Sequence, residues 1–542
     1  MSILKGRKLK IALIIVLLLS VGISFYSLWN YRGESSSIST SRPQQTFKPG
    51  ERFAQHGGNH SPGREMSPKH DLTLDAKAGS PWRNNVDNNK GGMHSFGGNR
   101  FDRSASSSPY AVPLAVYTVL FFGVSAAAYS MVICKNARIQ EKKKSTLIWM
   151  LLGAGLFLRI AAAPWIPGHP FDINLFKSWA ISAANNLTGF YSISSSDYPP
   201  FYIYILYMVG KLASVSTMSH YFTLLIKLPS ILADVATAYL LYKVARKYVS
   251  FEMSLMIAAF YTFNPAIFIN STFWGQVDSF FTLIVVAAIH LLSQNRMGWS
   301  TVLLAAAVLM KPQGIIYLPV LMFELFRVKR LKSWFIVAVS GWVTALLIVA
   351  PFSFGQDPMW LFKLYSRTLN EYPYASVNAF NFFSLLGANY KQDTSKLLLF
   401  SYHTWGMLFI VIVTLFSWWM YRKGRNGKFA SVAALVQIAG VFTFSSSMHE
   451  RYLFPAAALA LLAYTYLQDK RLLWLSAGFS LTIFINTYSI FYNSVNGGAP
   501  YNFTLFMTSL LNVLLCVFLA KVVWDHCFLK VRHGGVQDCA VD

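Results

Sequence analysis

Long apolar stretches alternate with short polar breaks along most of the chain, and Lys and Arg concentrate at every second break. A helix of about 20 apolar residues crosses the hydrocarbon core of a bilayer, and Lys and Arg are enriched at its cytoplasmic end. The pattern therefore predicts an all-α polytopic membrane protein with about 14 transmembrane helices and both termini in the cytoplasm. The predicted spans are residues 11–26, 111–134, 147–163, 222–242, 253–270, 277–292, 301–310, 314–326, 334–351, 404–421, 432–444, 453–467, 473–492 and 505–524.

The stretch 201–212 departs from this pattern, because it is apolar but short and interrupted. If it crossed the bilayer, the basic run at 243–247 would lie on the outer side, against the rest of the pattern. We therefore expect a helix along the outer interface, where its tyrosines suit the headgroup level. Pro199 and Pro200 favour a helix start there, since the first helical N–H groups have no partner within a helix anyway.

Residues 33–109 differ in composition, being rich in Ser, Gly, Asn, Pro and His and poor in aliphatic side chains. Such a segment buries too little apolar area to offset its chain entropy, so we expect it to be disordered and extracytoplasmic. The apolar stretch before it is not followed by a small-residue cleavage pattern, which favours an uncleaved anchor over a signal peptide. The predicted organisation is an anchor (1–32), the disordered segment (33–109), a second membrane helix with a basic cytoplasmic loop (110–146), a main transmembrane domain (147–530) and a cytoplasmic tail (531–542).

Composition agrees with the membrane assignment and excludes other classes. The 542 residues are 54% hydrophobic and 13% charged, whereas soluble domains carry roughly a quarter charged residues. The net charge of +25 is distributed in short orienting runs, so we do not expect a nucleic-acid partner. The four cysteines, at 134, 516, 527 and 539, fall near predicted cytoplasmic ends. We therefore expect neither disulfides nor a thiol-based metal site.

With this topology, the polar residues that are unusual for a membrane domain gather at the outer face. Ionisable groups at membrane depth are costly and are functional by default. The polar residues at the outer face comprise carboxylates, cations and amides: Asp172, Asp197, Gln276, Asp278, Lys311, Gln313, Glu371, Asn378, Asn381, His449, Glu450 and Arg451.

Each of these residues also has a purely structural interpretation. Asp172 could be a solvated loop carboxylate, and Asp278 in the first turn of its helix would benefit from the helix dipole. Lys311 could extend its ammonium to the interface, and the amides could hydrogen-bond between helices. The "HER" stretch at 449–451 could be an ion pair at a helix end. A functional interpretation is favoured because side chains of both charges gather at the same face of the membrane.

The predicted cluster suits a reaction on a lipid headgroup. An anionic phosphate leaving group requires cations, and Arg451, His449 and Lys311 are the available ones. An acceptor hydroxyl requires a base, for which a carboxylate in a partly dehydrated loop is suitable. The sequence has no phosphate-binding glycine loop, no HExxH, no GxSxG and no dinucleotide fingerprint.

Several motifs together resemble a known class of enzymes. "FDINLFKSWA", "DYPPFYIYIL", "NPAIFINSTFWGQVDSFF", "LMKPQGIIYLPVL", "VNAFNFFSLLG" and "MHERYLFPA" occur in this order. This set resembles the GT-C integral-membrane glycosyltransferases, in particular bacterial proteins related to PIG-V-type GPI mannosyltransferases. "DYPPF" is also similar to the dolichyl-phosphate-glucose-dependent glucosyltransferases. The resemblance covers about residues 147–467 well and makes the main transmembrane domain a GT-C-like catalytic domain.

The resemblance implies an inverting transfer from a polyprenyl-phosphate sugar on the non-cytoplasmic face. It implies that Asp172 acts as the general base, that Asp197 is a further catalytic or supporting residue in the same loop, and that His449 and Arg451 lie near the donor phosphate. Lys311 joins them as a donor-phosphate ligand. Candidate substrate-binding or supporting residues are Tyr198, Gln276, Asp278, Gln313, Asn378, Asn381 and Glu450.

Mannose is favoured by the resemblance alone, and the acceptor could be a glycolipid, a wall polymer or a protein. The sequence departs from GT-C enzymes with two adjacent acids in this loop, because Ile173 follows Asp172. A divalent cation therefore stays open as a cofactor. A covalent route through Asp197 also stays open, since it requires the two carboxylates to lie close together.

Two other functions compete with the transferase. A secondary transporter would also have many spans, and the broken stretch around "KPQ" favours it, although no repeat relates the two halves of the chain. A third interpretation is an envelope scaffold whose segment 33–109 binds anionic wall polymers. The expected location is the plasma membrane, with a bacterial source favoured over the ER.

Overall fold

The computed structural model describes residues 3–31, 109–140, 144–493 and 498–528. The predicted disordered segment, apart from its last residue, and the predicted cytoplasmic tail lie outside these ranges. The described chain is mostly helical, which agrees with the predicted all-α class. The helices are α1 Gly6–Asn30, α2 Ala111–Tyr129, α3 Lys144–Ala162, α4 Pro170–Asn185, α5 Phe190–Ile193, α6 Pro200–Ala213, α7 Ser216–Ser219, α8 Phe222–Ala245, α9 Phe251–Thr262, α10 Pro265–Phe268, α11 Asp278–Ser293, α12 Met297–Val308, α13 Leu318–Val328, α14 Leu331–Val349, α15 Trp360–Leu369, α16 Phe382–Leu385, α17 Tyr402–Gly424, α18 Ala430–Phe444, α19 Pro455–Leu467, α20 Arg471–Asn493 and α21 Phe503–Phe528.

Short irregular turns and two small strand pairs complete the described chain. The strands are β1 Ile3–Lys5, which pairs in parallel with β2 Arg138–Gln140, and β3 Lys396–Leu397, which pairs antiparallel with β4 Phe400–Ser401. Turns of 3₁₀ helix cover Ala163–Trp165, Pro312–Tyr317, Ala350–Phe352 and Gly427–Phe429, and π-helical turns cover Ser130–Cys134 and Ile269–Trp274.

Ten helical stretches of the described chain are long and apolar enough to cross a membrane, and four shorter apolar helices accompany them. This agrees with a polytopic membrane protein. The number of about 14 spans and the cytoplasmic position of the termini stay predictions. The shorter helices are α6, α11, α12 and α19. The helix start at Pro199–Pro200 is confirmed, since Pro199 is the N-terminal cap of α6 and Pro200 its first residue.

Two helices, α18 and α19, form the centre of the fold. Of the apolar stretch that includes α18, 89% is buried within the protein, whereas the corresponding figure for the stretch that includes α14 is 17%. Small residues allow the central helices to approach closely. A Cβ at Gly440 of α18 would lie 2.6 Å from a methyl group of Val413 in α17. The inner helices are therefore held by protein contacts, and α14 leaves most of its apolar surface for lipid.

Breaks between helices place polar side chains at one end of the bundle. The π-helical turn Ile269–Trp274 ends at Gly275, whose φ of 87° is left-handed, and α11 begins three residues later. Gly168, before α4, also has a positive φ of 89°. A Cβ atom at Gly168 would lie 2.4 Å from the side chain of Ile173, and one at Gly275 would lie 2.5 Å from it. Ile173 therefore fills the space between two backbone segments.

Candidate active site

Charged side chains from four separate breaks between helices meet at this end of the bundle. Asp172 comes from the first turn of α4, Asp278 from the first turn of α11, and Lys311 follows α12. Glu450 and Arg451 come from the connection between α18 and α19. All five are buried, except that Arg451 keeps 13% of its side chain exposed. We call these five residues the charged cluster.

Three side chains approach the same oxygen of Asp172, and one of them, Trp274, forms a hydrogen bond to it. Trp274 Nε1 donates a hydrogen bond of 2.5 Å to Asp172 Oδ2. His169 Nδ1 lies 3.3 Å and Arg451 Nη1 3.7 Å from this oxygen. Among the described residues, no hydrogen-bond donor reaches Oδ1. The contacts to Oδ2 thus orient the carboxylate, while Oδ1 is left for a ligand.

The environment keeps Asp172 ionised. Burial is the largest single influence and raises the pKa of the Asp172 carboxyl group, but the Arg451 guanidinium, His169 and Trp274 together lower it by more. The net result holds the pKa of Asp172 below its ordinary range. Without a ligand, Asp172 is therefore a stable anion and a weak base.

Arg451 is the central cation of the charged cluster. Its Nη1 bonds to Glu450 Oε1 at 2.6 Å, and its Nε lies 3.7 Å from Asp278 Oδ2. The guanidinium also lies over the ring of Trp274, 5.2 Å from the ring centroid. Three carboxylates thus share one guanidinium, and they raise the pKa of Arg451 although burial opposes this. Burial raises the pKa of Glu450, and Arg451 only partly offsets that rise.

Lys311 forms the second ion pair of the charged cluster. Its Nζ lies 2.5 Å from Asp278 Oδ1, and only 5% of the lysine side chain is exposed. Asn270 Nδ2 donates a 3.0 Å hydrogen bond to the other oxygen, Asp278 Oδ2. The ammonium also lies 5.8 Å from the ring centroids of Tyr198 and Tyr452. Lys311 therefore does not extend to the interface, as one structural interpretation held, but is enclosed and paired.

Asp197 lies near the charged cluster without belonging to either ion pair. It precedes α6, and its backbone carbonyl accepts a hydrogen bond of 3.0 Å from Thr368 Oγ1. Burial raises the pKa of its carboxyl group, while Arg367 and Lys311 lower it and Asp172 raises it further. The two predicted catalytic carboxylates thus differ, with Asp172 the stronger acid and Asp197 the stronger base.

The two glutamines lie buried beside the charged cluster and each keeps one free polar atom. Gln313 Nε2 donates a 2.6 Å hydrogen bond to the carbonyl of Tyr452, while its Oε1 is buried and has no hydrogen-bond partner among the described residues. Gln276 Nε2 is likewise buried without a partner within the described chain. Amide groups that are buried and unsatisfied are costly, so both are suited to contact a polar ligand.

Asn378 and Asn381 support the loop between α15 and α17 instead. Asn378 Nδ2 donates to the hydroxyl of Tyr390 at 3.0 Å. Asn381 caps α16, with its Oδ1 accepting from Ser384 N, and its Nδ2 donates to the carbonyls of Phe442 and Ser445. Their side-chain hydrogen bonds are thus to protein groups, and the predicted substrate contacts of these asparagines have no geometric support.

His449 connects this loop to the charged cluster. Its backbone is bridged to Val377 and Asn378, and its ring packs edge-on against Tyr372 with centroids 4.6 Å apart. Burial, with Arg451 and Lys311 nearby, lowers the pKa of His449 to about 3. Without a ligand, the imidazole is therefore neutral at physiological pH, and His449 does not add a third cation to Arg451 and Lys311.

Sequence reasoning assigned no role to His169, Trp274 or Asn270. His169 stacks on Trp274, with centroids 4.6 Å apart and ring planes inclined by 12°, and both contact Asp172. A signal was present, since His169 and Trp274 lie in the "GHPFD" and "FWGQVD" stretches that contain the predicted carboxylates. Ile173 explains the missing second acid, because its side chain is 2% exposed and fills the space beside Gly168 and Gly275. Within the described residues, no group of three or more His, Cys, Asp or Glu side chains could hold a metal ion.

A comparison with protein-family models gives a match over the middle of the chain. Residues 197–447 match Glycosyltransferase family 87, which is just under half of the chain. The matched region includes Asp197, Asp278 and Lys311, but it begins after Asp172 and ends before Glu450 and Arg451. A search of curated proteins finds no match. The family match supports a membrane glycosyltransferase, without extending to the PIG-V-like mannosyltransferase specificity.

Proposed function

We propose that the protein is an inverting glycosyltransferase that moves a hexose from a polyprenyl-phosphate donor to a hydroxyl acceptor on the outer face of the membrane. The observation that carries this proposal is the arrangement of Asp172, with Oδ2 approached by three side chains and Oδ1 left for a ligand. A positioned carboxylate with one available oxygen is what the removal of a hydroxyl proton requires. The similarity to Glycosyltransferase family 87 supports the reaction class.

The proposed reaction is a single displacement at the anomeric carbon. Asp172 Oδ1 takes the proton of the acceptor hydroxyl as the acceptor oxygen forms a bond to this carbon. The bond between the anomeric carbon and the phosphate oxygen breaks on the opposite side of the sugar, and the electron pair leaves with the polyprenyl phosphate. The configuration inverts because attack and departure occur on opposite faces.

Arg451 connects donor binding to the strength of the base. In the protein alone, its guanidinium contacts Glu450 and lies near Asp172. A donor phosphate that bonds to Arg451 would draw this charge away from Asp172 and partly neutralise it. The pKa of Asp172 would then rise toward the range in which a carboxylate accepts a proton more readily. The base is thus strengthened when the donor is in place.

Lys311 has a different part in this proposal. Its ammonium is fixed on Asp278 at 2.5 Å, so a phosphate would meet an ion pair rather than a free cation. Lys311 therefore stabilises the leaving group as part of the Asp278 pair, while Gln276 and Gln313 contribute polar atoms that have no described partner. The resemblance alone favours mannose, and the acceptor is a glycolipid, a wall polymer or a protein. Neither the family match nor the charged cluster favours the transporter.

The test is sugar transfer by the full-length protein in lipid nanodiscs, with radiolabelled polyprenyl-phosphate mannose or glucose and a membrane-lipid extract as acceptor pool. We expect Asp172→Asn to lower transfer by at least about 100-fold while donor binding is retained, since a general base contributes 10²–10⁴-fold. Asp197→Asn is the matched control, because it removes a second carboxylate near the same cluster. The product configuration is determined by NMR.

Two outcomes would contradict the proposal. Normal transfer by Asp172→Asn with loss in Asp197→Asn would move the base to Asp197, whose pKa is raised. Transfer with retention of configuration, together with a covalent sugar adduct, would replace the single displacement with a covalent route.

A further inference from the structure

A second polar site lies at the opposite end of α11 and α12 from the charged cluster. It is a cavity of about 1090 Å³ between the turn that joins α11 to α12 and the turn that joins α13 to α14. Three arginines, Arg296, Arg327 and Arg330, line it together with Asn295 and Ser333. No acidic side chain is among its described lining residues. We call this cavity the arginine pocket.

The three arginines differ in their partners. Arg327 is satisfied, because its guanidinium forms two hydrogen bonds of 2.6 and 2.7 Å to the carboxylate of Glu324. Arg296 and Arg330 have neither an ion pair nor a side-chain hydrogen bond with any described residue, and both are exposed. Two guanidinium groups thus face one cavity without a described counter-charge, a setting that favours an anion.

The surroundings of the arginine pocket indicate where this anion lies. The 16 residues of α11 separate the pocket from Asp278 by about 24 Å at 1.5 Å per residue, so it is at the far end of the bundle. Trp299 and Ile336, on α12 and α14, also line it and are 67% and 39% exposed. The arginines therefore border an apolar surface, as in sites where basic side chains between membrane helices bind phospholipid headgroups.

We propose that the arginine pocket binds a phosphate-bearing anion through Arg296 and Arg330, with the apolar rim of Trp299 and Ile336 accommodating the chains of an anionic phospholipid. This site is separate from the proposed transfer reaction and does not depend on it. Arg327, whose charge is compensated by Glu324, shapes the wall of the pocket.

Native mass spectrometry of the delipidated full-length protein tests this proposal. The probes are dioctanoyl phosphatidylglycerol, dioctanoyl phosphatidylcholine as the zwitterionic comparison, and inorganic phosphate as competitor. We expect the wild type to retain one more phosphatidylglycerol than the R296Q/R330Q variant, whose affinity at this site is at least about tenfold weaker. Displacement by millimolar phosphate would show that the phosphate group suffices, and absence of displacement would show that the whole lipid is recognised.

Arg425→Gln is the matched control, because Arg425 is exposed after α17 and does not line the pocket. The proposal is overturned if R296Q/R330Q binds phosphatidylglycerol as the wild type does, or if Arg425→Gln loses as much. Should the double variant not fold, Ser333→Asp gives the same test. An acid in the first turn of α14 suits the helix but repels an anion in the pocket, so unchanged binding in this variant also overturns the proposal.

Discussion

The two ends of α11 and α12 carry charged residues in opposite states. At one end, Arg451 and Lys311 are almost enclosed and each is paired with carboxylates. At the other end, Arg296 and Arg330 are exposed and have no described acid partner. Enclosed charges must be paired because desolvation is expensive, whereas exposed arginines remain hydrated. The paired end is therefore suited to fixing reacting groups, and the exposed end to collecting a mobile anion.

The largest expected effect comes from removing the central guanidinium. Arg451→Gln leaves Asp172, Asp278 and Glu450 together without their shared cation, and breaking a buried pair costs about 3–5 kcal/mol. We expect a large drop in the midpoint of thermal unfolding in detergent and loss of sugar transfer. Glu450→Gln in the same chain should restore part of the stability, because it removes one of the uncompensated acids.

The control for this prediction is at the opposite end of the helices. Arg330→Gln should change stability by no more than about 0.5 kcal/mol, as is usual for an exposed side chain. Equal losses of stability in the two variants would mean that the contrast in burial between the two ends has no energetic consequence.

The next effect concerns the enclosed pair of Lys311 and Asp278. Lys311→Met should destabilise the protein by about 3 kcal/mol, because it leaves a buried carboxylate unpaired. Lys311→Met with Asp278→Asn should recover at least about half of this loss. The coupling is obtained from a double-mutant cycle on unfolding midpoints. The exposed pair of Lys363 and Asp357, 3.1 Å apart, is the control and should couple by less than about 1 kcal/mol. If the Lys311 and Asp278 substitutions had additive effects on the unfolding midpoint, the two residues would not form a stabilising ion pair.

A smaller effect is expected from the hydrogen bond that orients Asp172. Trp274→Phe keeps a ring to stack on His169 but removes the Nε1 donor. A hydrogen bond to a charged group contributes about 1.5–3 kcal/mol, so kcat/KM should fall at least about tenfold. The pKa of Asp172 should rise, because its ionised form loses a donor, and the acid limb of the pH profile should move to higher pH.

Trp165→Phe is the matched control for this variant. It removes a 2.7 Å hydrogen bond from indole to the neutral hydroxyl of Ser27, away from the charged cluster. Its pH profile should match that of the wild type. An acid limb that stays in place in Trp274→Phe would mean that Asp172 does not control it.

The helices were largely predictable from sequence, because apolar length alone decides whether a helix can cross a bilayer. The predicted span 222–242 corresponds to α8, and the predicted helix start at Pro199–Pro200 is where α6 begins. The four shorter apolar helices also lie close to predicted stretches, at 201–212, 277–292, 301–310 and 453–467. Whether they cross the bilayer is less predictable, since protein contacts rather than lipid cover much of their surface. α19 is only 13 residues long and almost entirely buried.

The charged residues of the candidate site could be grouped from the sequence, but their pairing and their neighbours His169, Trp274 and Asn270 could not. Ionisable residues in a membrane domain usually pair with one another. Asp172, Asp278 and Arg451 could therefore be grouped from their predicted positions at the same face of the membrane. The contact of Trp274 with Asp172 joins residues 102 positions apart and depends on a π-helical turn that the apolar pattern does not encode. Asn381 is a residue that the sequence grouped with the site although it caps α16. An asparagine side chain suits a substrate contact and a helix cap equally well, so the sequence does not distinguish the two roles.

The smallest expected effect is a pH dependence of donor binding that only the paired end should show. Burial raises the pKa of Glu450 above its ordinary value, so as the pH falls this carboxylate takes up a proton earlier than an exposed glutamate does. Protonated Glu450 competes less for Arg451, while a donor phosphodiester stays anionic. The KM for the donor should therefore fall about two- to fivefold as the pH falls, since one exchanged hydrogen bond is worth about 1 kcal/mol.

Glu450→Gln should keep the KM low and independent of pH. Glu371→Gln is the control, because burial also raises the pKa of Glu371, yet its main charged neighbours are Asp197 and Arg367. A wild-type KM that rises as the pH falls, or a Glu450→Gln variant with an unchanged pH dependence, would show that Glu450 and the donor do not compete for Arg451.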